Sequence, residues 1–225
     1  MITYTGAMGT CAGVGLLLLV GLGYRLVWRP GPLPGWEGWA LSLGSLGAIS
    51  TALGLHMTLT WPLTLEGEVY KNFVFGEPIL ILGVLLLAAA RWVWRRGPEL
   101  AEGVDGLVDV VYAACRPVAV IILVQGAVLA SNLVGAVNYK IFSTAPVQEP
   151  IFGTWPEPVV SIGLYAIVLA LPALGALLLP VGVWLRSRPV LATAGAAWVA
   201  AGVGLTLAGV VVYGAHIAMD FNFRS

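Results

Sequence analysis

His56 and His216 are the only histidines in the chain, and each follows a glycine by two residues, Gly54 and Gly214. Imidazoles from two helices are suitable ligands for haem b in a helical bundle, and nearby glycines leave room for a flat macrocycle. The same pair with Glu77 or Asp220 makes a mixed nitrogen and oxygen donor set suited to a transition metal ion such as zinc, iron or copper. Asp220 follows His216 by four residues, so a helix carries both on one face. Gln125 and Asn132, two helical turns apart, suggest another use together with Glu77, Tyr213 and Cys11: the polar lining of a solute, ion or proton path, with a histidine that titrates near neutral pH. A simpler reading leaves His56, Glu77 and His216 as solvated groups at the headgroup level. Glu77 then only complements the dipole of a helix that starts at Pro78. The chain has no phosphate-binding loop, nucleophile elbow, HExxH pair or dinucleotide fingerprint, so catalysis of the soluble type is not expected.

These residues are held by elements that must be transmembrane. Of the 225 residues 59% are hydrophobic and 10% charged, more apolar surface than a soluble core of this size hides. In hydrocarbon every backbone polar group needs an internal partner, which leaves helices or closed barrels. A barrel would show short alternating stretches, whereas the apolar stretches here are long and continuous. The expected fold is an all-α polytopic transmembrane bundle in a single domain, 1–225, crossing a bilayer core about 30 Å thick six times. The spans run at about 5–28, 36–61, 77–94, 107–137, 159–185 and 190–219. Proline and glycine punctuate every connector, and Pro117, Pro172 and Pro180 are expected to bend their helices. Gly44 with Ala48 and Ala52, and Gly195 with Gly202 and Gly209, have the spacing of close helix contacts. No internal repeat of the inverted type is evident.

The formal net charge is zero, which gives no reason to expect nucleic acid as a partner. Its distribution is more informative. Eight arginines, Arg25, Arg29, Arg91, Arg95, Arg96, Arg116, Arg186 and Arg188, fall on one side of the six-span arrangement; Lys71, Lys140 and Arg224 fall on the other. Short loops rich in Lys and Arg stay in the cytoplasm, so both termini are expected on the non-cytoplasmic side of a prokaryotic cell membrane. Trp28, Trp36, Trp39, Trp92, Trp94 and Trp184 then form a cytoplasmic belt, and the two histidines share the outer half. Cys11 and Cys115 fall in opposite leaflets, too far apart to bridge. The opening segment lacks a leading Lys or Arg and is read as the first span, not as a secretory signal.

Thr60-Trp61-Pro62-Leu63 followed by Phe75-Gly76-Glu77-Pro78 resembles the domain of unknown function 981 family of prokaryotic membrane proteins. The resemblance implies a polytopic membrane fold and brings no activity, cofactor or site residue with it. From the residues, the expected function is an outward-facing site that holds haem b or a metal ion through His56 and His216 in an electron-transfer subunit. Its alternatives are a small transporter or channel, and a scaffold subunit of a membrane complex or homo-oligomer.

Overall fold

The computed structural model describes residues 5–60, 72–142 and 155–224, with the backbone alone at residues 73 and 212–224. All regular structure among these residues is helical. The helices are α1 (Thr5–Gly23), α2 (Trp36–Leu59), α3 (Glu77–Glu102), α4 (Leu107–Asn138), α5 (Glu157–Leu164), α6 (Leu171–Trp184) and α7 (Arg188–Arg224). Six stretches are long and apolar enough to cross a membrane, matching the six expected windows: Thr5–Trp28, Trp36–Leu59, Val74–Glu102, Leu107–Asn138, Glu157–Trp184 and Arg188–Val211. Helices α5 and α6 together make one span. Trp61, the expected end of the second span, lies outside the described residues.

Helix α3 runs past its expected end at Trp94, through Gly97 and Pro98, to Glu102. Pro98 removes only one backbone donor, and packing outweighs that loss. Gly97 leaves a notch that the Trp36 ring fills, Leu100 is fully buried, and the Leu33 N–H donates to the Leu100 carbonyl at 2.8 Å.

Three π-helical segments interrupt the spans, and each ends two residues before a proline: Tyr24–Trp28 before Pro30, Asn72–Gly76 before Pro78, and Tyr165–Ala170 before Pro172. Proline offers no N–H to the carbonyl four residues back, and its ring crowds that carbonyl. A wider turn moves the pairing one residue on. Accordingly the Arg29 N–H donates to the Tyr24 carbonyl at 3.1 Å, and the Leu171 N–H to the Ala166 carbonyl. Pro117 and Pro180 sit within continuous α-helix. The backbone is already helical before Glu77, with Gly76 at φ −62° and ψ −57°. Glu77 and Pro78 open the α-helix as expected, with one π-helical turn, Asn72–Gly76, ahead of them.

The helices form an open ring. Helix α2 packs along α3, α1 along α7, and α6 against both α4 and α7; α1 joins α2, while α3 and α4 touch only sparsely. On α2 the buried positions are Ala40, Leu43, Gly47, Ser50, Gly54 and Met57. On α3 they include Ile79, Gly83, Leu86, Ala90, Val93, Gly97 and Leu100. These steps of three and four give the 3.5-residue period of a left-handed helix pair. Lipid removes the hydrophobic drive between helices, so close approach at small residues does the holding. A Cβ at Gly54 would lie 2.5 Å from the Leu80 nitrogen, and one at Gly83 2.5 Å from the Thr51 nitrogen.

The small-residue expectation for α2 needs correcting in register: Ala48 and Ala52 are exposed, and the seam follows Ala40, Gly47 and Gly54 instead. On α7 the expected stripe meets α1. Gly195 faces Val20, Gly202 faces the Gly13 carbonyl, and Gly209 faces Thr10.

Trp198 of α7 covers Gly175 of α6, and its indole N–H donates to the Pro172 carbonyl at 3.2 Å. Trp198→Phe keeps most of the ring and loses that donor. It is expected to cost about 1 kcal/mol, read as a Tm lower by roughly 2–4 °C in detergent.

The arginines gather at one end of the bundle, where Leu26, Leu33, Leu43, Val93 and Leu107 form one packed cluster. There Arg186 pairs with Asp109 at 2.6 Å and lies over the Tyr112 ring, 5.1 Å from its centroid. Trp36 and Trp94 meet edge to face at 5.3 Å.

Candidate binding site

On α4, Val111, Ala114, Cys115, Val118, Ile122, Gln125 and Leu129 recur at steps of three and four, which puts them on one helical face. That face packs on neighbouring helices through Val111, Cys115, Ile122 and Leu129. It looks into a cavity of about 900 Å³ inside the ring, toward the upper end of the ~300–1,000 Å³ typical of ligand pockets. Helix α1 contributes Met8, Ala12, Leu16, Leu19 and Leu22, the π-helical turn after it Leu26, and α3 contributes Ile79, Leu82, Leu85, Ala89 and Trp92. The α5–α6 span adds Val160, Leu164, Val168, Pro172, Ala176 and Leu179, and α7 adds Trp198, Leu205 and Ala208. Helix α2 lines none of it and backs α3 from outside. Along the first span the lining runs from Thr5 to Leu26, about 30 Å at the ~1.5 Å rise per residue, comparable to the hydrocarbon thickness of a bilayer.

No Asp, Glu, Lys, Arg or His lines the cavity among the described residues. Packed side chains stand at each end. At the arginine end Leu22, Leu26 and Val111 belong to the packed cluster, with Trp92 against them. At the opposite end Phe75 and Phe142 lie 6.0 Å apart, and Phe142 and Tyr165 lie 5.4 Å apart. The Tyr165 hydroxyl donates to the Ala136 carbonyl at 3.2 Å, tying this aromatic cap to the end of α4. Two of the π-helical segments supply cap residues, Phe75 and Tyr165. One side is sparsely packed. Where α3 and α4 meet sparsely, Ala88 lines the cavity and is exposed, and Leu85, Ala114 and Val118 are half-buried. In a bilayer that seam faces hydrocarbon.

Among the described residues Gln125 is the one amide on this wall. It is 7% exposed, and its Oε1 has no hydrogen-bond partner. An unpaired buried acceptor costs about 1–3 kcal/mol. That oxygen is turned into the packed protein, out of reach of a water-sized molecule.

The other candidate residues are scattered. His56 is exposed on α2, a helix that lines no part of the cavity. It precedes Met57, which packs with Met8 near the start of α1. Gly209 of α7 reaches that same level, at Gly6 and Thr10. His216 follows seven residues later, about 10 Å farther along the axis at ~1.5 Å per residue, on a helix separated from α2 by α1. The side chains of His216, Tyr213 and Asp220 lie outside the described residues. Glu77, Asn132 and Cys11 are half-buried and do not line the cavity, whereas Cys115 does. Both cysteines are free thiols. No group of three or more His, Cys, Asp or Glu able to hold a metal ion occurs among the described residues.

Asn72 escaped sequence reasoning. It is 2% exposed and donates through its Nδ2 to the Met57 carbonyl, clamping the start of the α3 span to the end of α2. Its place before an apolar run gave no distinctive signal.

A family described as "Protein of unknown function (DUF981)" matches residues 1–219. No curated protein and no solved structure matches the chain.

Proposed function

The chain belongs to this family, and on that premise we propose that it is a multi-pass membrane protein whose ring of helices binds a neutral, largely apolar molecule drawn sideways from the bilayer. The carrying observation is the cavity: it has the size of a ligand pocket, holds no charged group on its wall among the described residues, and is open at the α3–α4 seam. A path for ions or protons needs a polar lining. Of the expected path residues whose side chains are described, Gln125 lines the cavity, and Glu77, Asn132 and Cys11 do not.

Haem b or metal binding by His56 and His216 gains no support from the exposure of His56 or from the difference in depth between the two residues. A Soret band in the purified protein, lost in both His56→Ala and His216→Ala, would favour the haem reading over this one. A scaffold role gains no specific observation.

We assign the arginine end to the cytoplasm of a cell membrane by the positive-inside rule. In a Cys11→Ser/Cys115→Ser background, a cysteine at the exposed Tyr139 should then react with an impermeant maleimide from outside intact cells. Reaction only after lysis inverts the assignment.

Binding is tested with a diazirine-bearing alkyl probe in nanodiscs. Label on Leu85, Val118, Leu129 and Leu164 supports the proposal. Label confined to bilayer-facing residues such as Leu41 and Leu55 of α2 overturns it.

A further inference from the structure

Resting on that reading, we infer that the occupant of the cavity is a long, flexible hydrocarbon chain that enters from the leaflet at the arginine end and reaches past the midplane to the aromatic cap. The length of the lining carries this. It runs from Val74 to Trp92 on the third span, from Val111 to Leu129 on the fourth and from Val160 to Leu179 on the fifth, in each case about 27 Å at ~1.5 Å per residue. The first span, lined from Thr5 to Leu26, agrees. A compact pocket of about 900 Å³ would be only about 10 Å across. Here a similar volume is drawn out over about 27 Å, a shape that a chain fills and a compact molecule does not. The place of the seam sets the direction of entry. Leu85 and Ala88 lie nearer Trp92 than Val74, and Ala114 and Val118 nearer Val111 than Leu129, so the gap opens in the arginine half of the membrane. A chain confined to that leaflet spans about 15 Å, half of a hydrocarbon core about 30 Å thick. It would leave the far half, walled by Ile79, Leu129, Phe142 and Leu164, without contacts, and unfilled apolar space costs free energy in proportion to its volume. Lipid is as apolar as that wall, so no hydrophobic gain draws the molecule in; what favours a longer chain is the space it fills. No charged residue lines the cavity among the described residues, so the chain is neutral along its buried length. An extended chain advances about 1.25 Å per carbon at single bonds of ~1.5 Å, and about 22 carbons then span the lining. Isoprenoid and very long linear chains have that reach, and a compact ring system does not.

The test is competition against the diazirine alkyl probe in nanodiscs by straight-chain methyl esters of about 12, 18 and 22 carbons, compared at equal mole fraction in the bilayer, with labelling resolved at Val118 and at Leu129. Every ester should displace label at Val118. At Leu129 the longest should be at least about tenfold more effective than the shortest, because only the longer chain fills the far half. Ile122 lines the cavity at mid-length and is half-buried. Ile122→Trp should remove the advantage of the longest ester at Leu129 and leave displacement at Val118 by the shortest unchanged; Ile122→Phe serves as the second variant should tryptophan disturb the fold. Equal effectiveness of all chain lengths at Leu129 overturns the inference while leaving the binding site standing. So does equal displacement by a fused-ring ester of the same carbon number, or a length preference that persists in both Ile122 variants. Failure of the probe to label the cavity wall at all overturns the underlying proposal instead.

Discussion

Gly83→Leu, and equally Gly54→Leu, should leave little folded monomer after extraction into mild detergent. Each Cβ would meet backbone, the Thr51 nitrogen in one case and the Leu80 nitrogen in the other, both at 2.5 Å. Backbone inside a helix cannot move aside as the tip of a side chain can, so α2 and α3 must separate along their whole seam. Overpacking of this kind costs about 3 kcal/mol. Other terms cannot readily compensate, because lipid is as apolar as leucine and close contact is what joins two such helices. The readout is a loss of the monodisperse size-exclusion peak, or a Tm lower by roughly 6–12 °C where protein survives. Ala48→Leu, on the exposed side of the same helix, is the control and should change neither. If Gly83→Leu is tolerated while Ala48→Leu is not, the Ala40–Gly47–Gly54 seam is wrong, and the spacing of Gly44, Ala48 and Ala52 is the true contact.

Val118→Trp, alone or with Leu85→Trp, should lower probe labelling of the cavity wall at least about tenfold with little change in Tm. Both positions line the cavity and border the α3–α4 gap, and both are half-buried, so a larger ring grows into open space and the fold is spared. The bound molecule then takes the steric cost, and overlap worth about 1–3 kcal/mol weakens binding by that order. Unchanged labelling with both substitutions in place would mean that the ligand neither passes the seam nor occupies this part of the cavity.

The membrane class and the six spans were legible from apolar windows alone, because a span has a minimum length and few ways to satisfy its backbone. The stripe at Gly195, Gly202 and Gly209 was legible for a related reason, since three glycines seven residues apart mark one face of a helix wherever it docks. The α2 seam was not. Gly44, Ala48 and Ala52 look as good in sequence as Ala40, Gly47 and Gly54, and only the partner helix decides between the two rows. The extension of α3 through Pro98 was hidden as well, since the stabilising partners Trp36 and Leu33 sit more than sixty residues earlier. The π-helical segments had a visible cause in Pro30, Pro78 and Pro172, yet Pro117 and Pro180 show that a proline alone does not foretell one.

The cavity is the part least accessible to reading by motif. Its wall is built from leucine, valine and alanine, the residues any span contains, and what makes it a site is that five spans turn those faces toward one another without filling the space between. The ionisable residues drew attention to His56, Glu77 and His216, whereas the cavity wall holds the neutral Gln125. That amide was noticed as the lining of a polar path. Its residue lines the cavity while its carbonyl oxygen is buried in the packing without a partner.

The central claim is that a molecule from the bilayer binds inside the ring rather than merely bathing it. The most direct measurement is the dose dependence of photolabelling in nanodiscs, resolved by peptide. Labelling of α4 at Val118 and Leu129 should saturate near one probe per chain and be competed by an unlabelled apolar alcohol, while labelling of α2 at Leu41 and Leu55 rises in proportion to probe and resists competition. Proportional, uncompeted labelling of both faces would contradict a binding site.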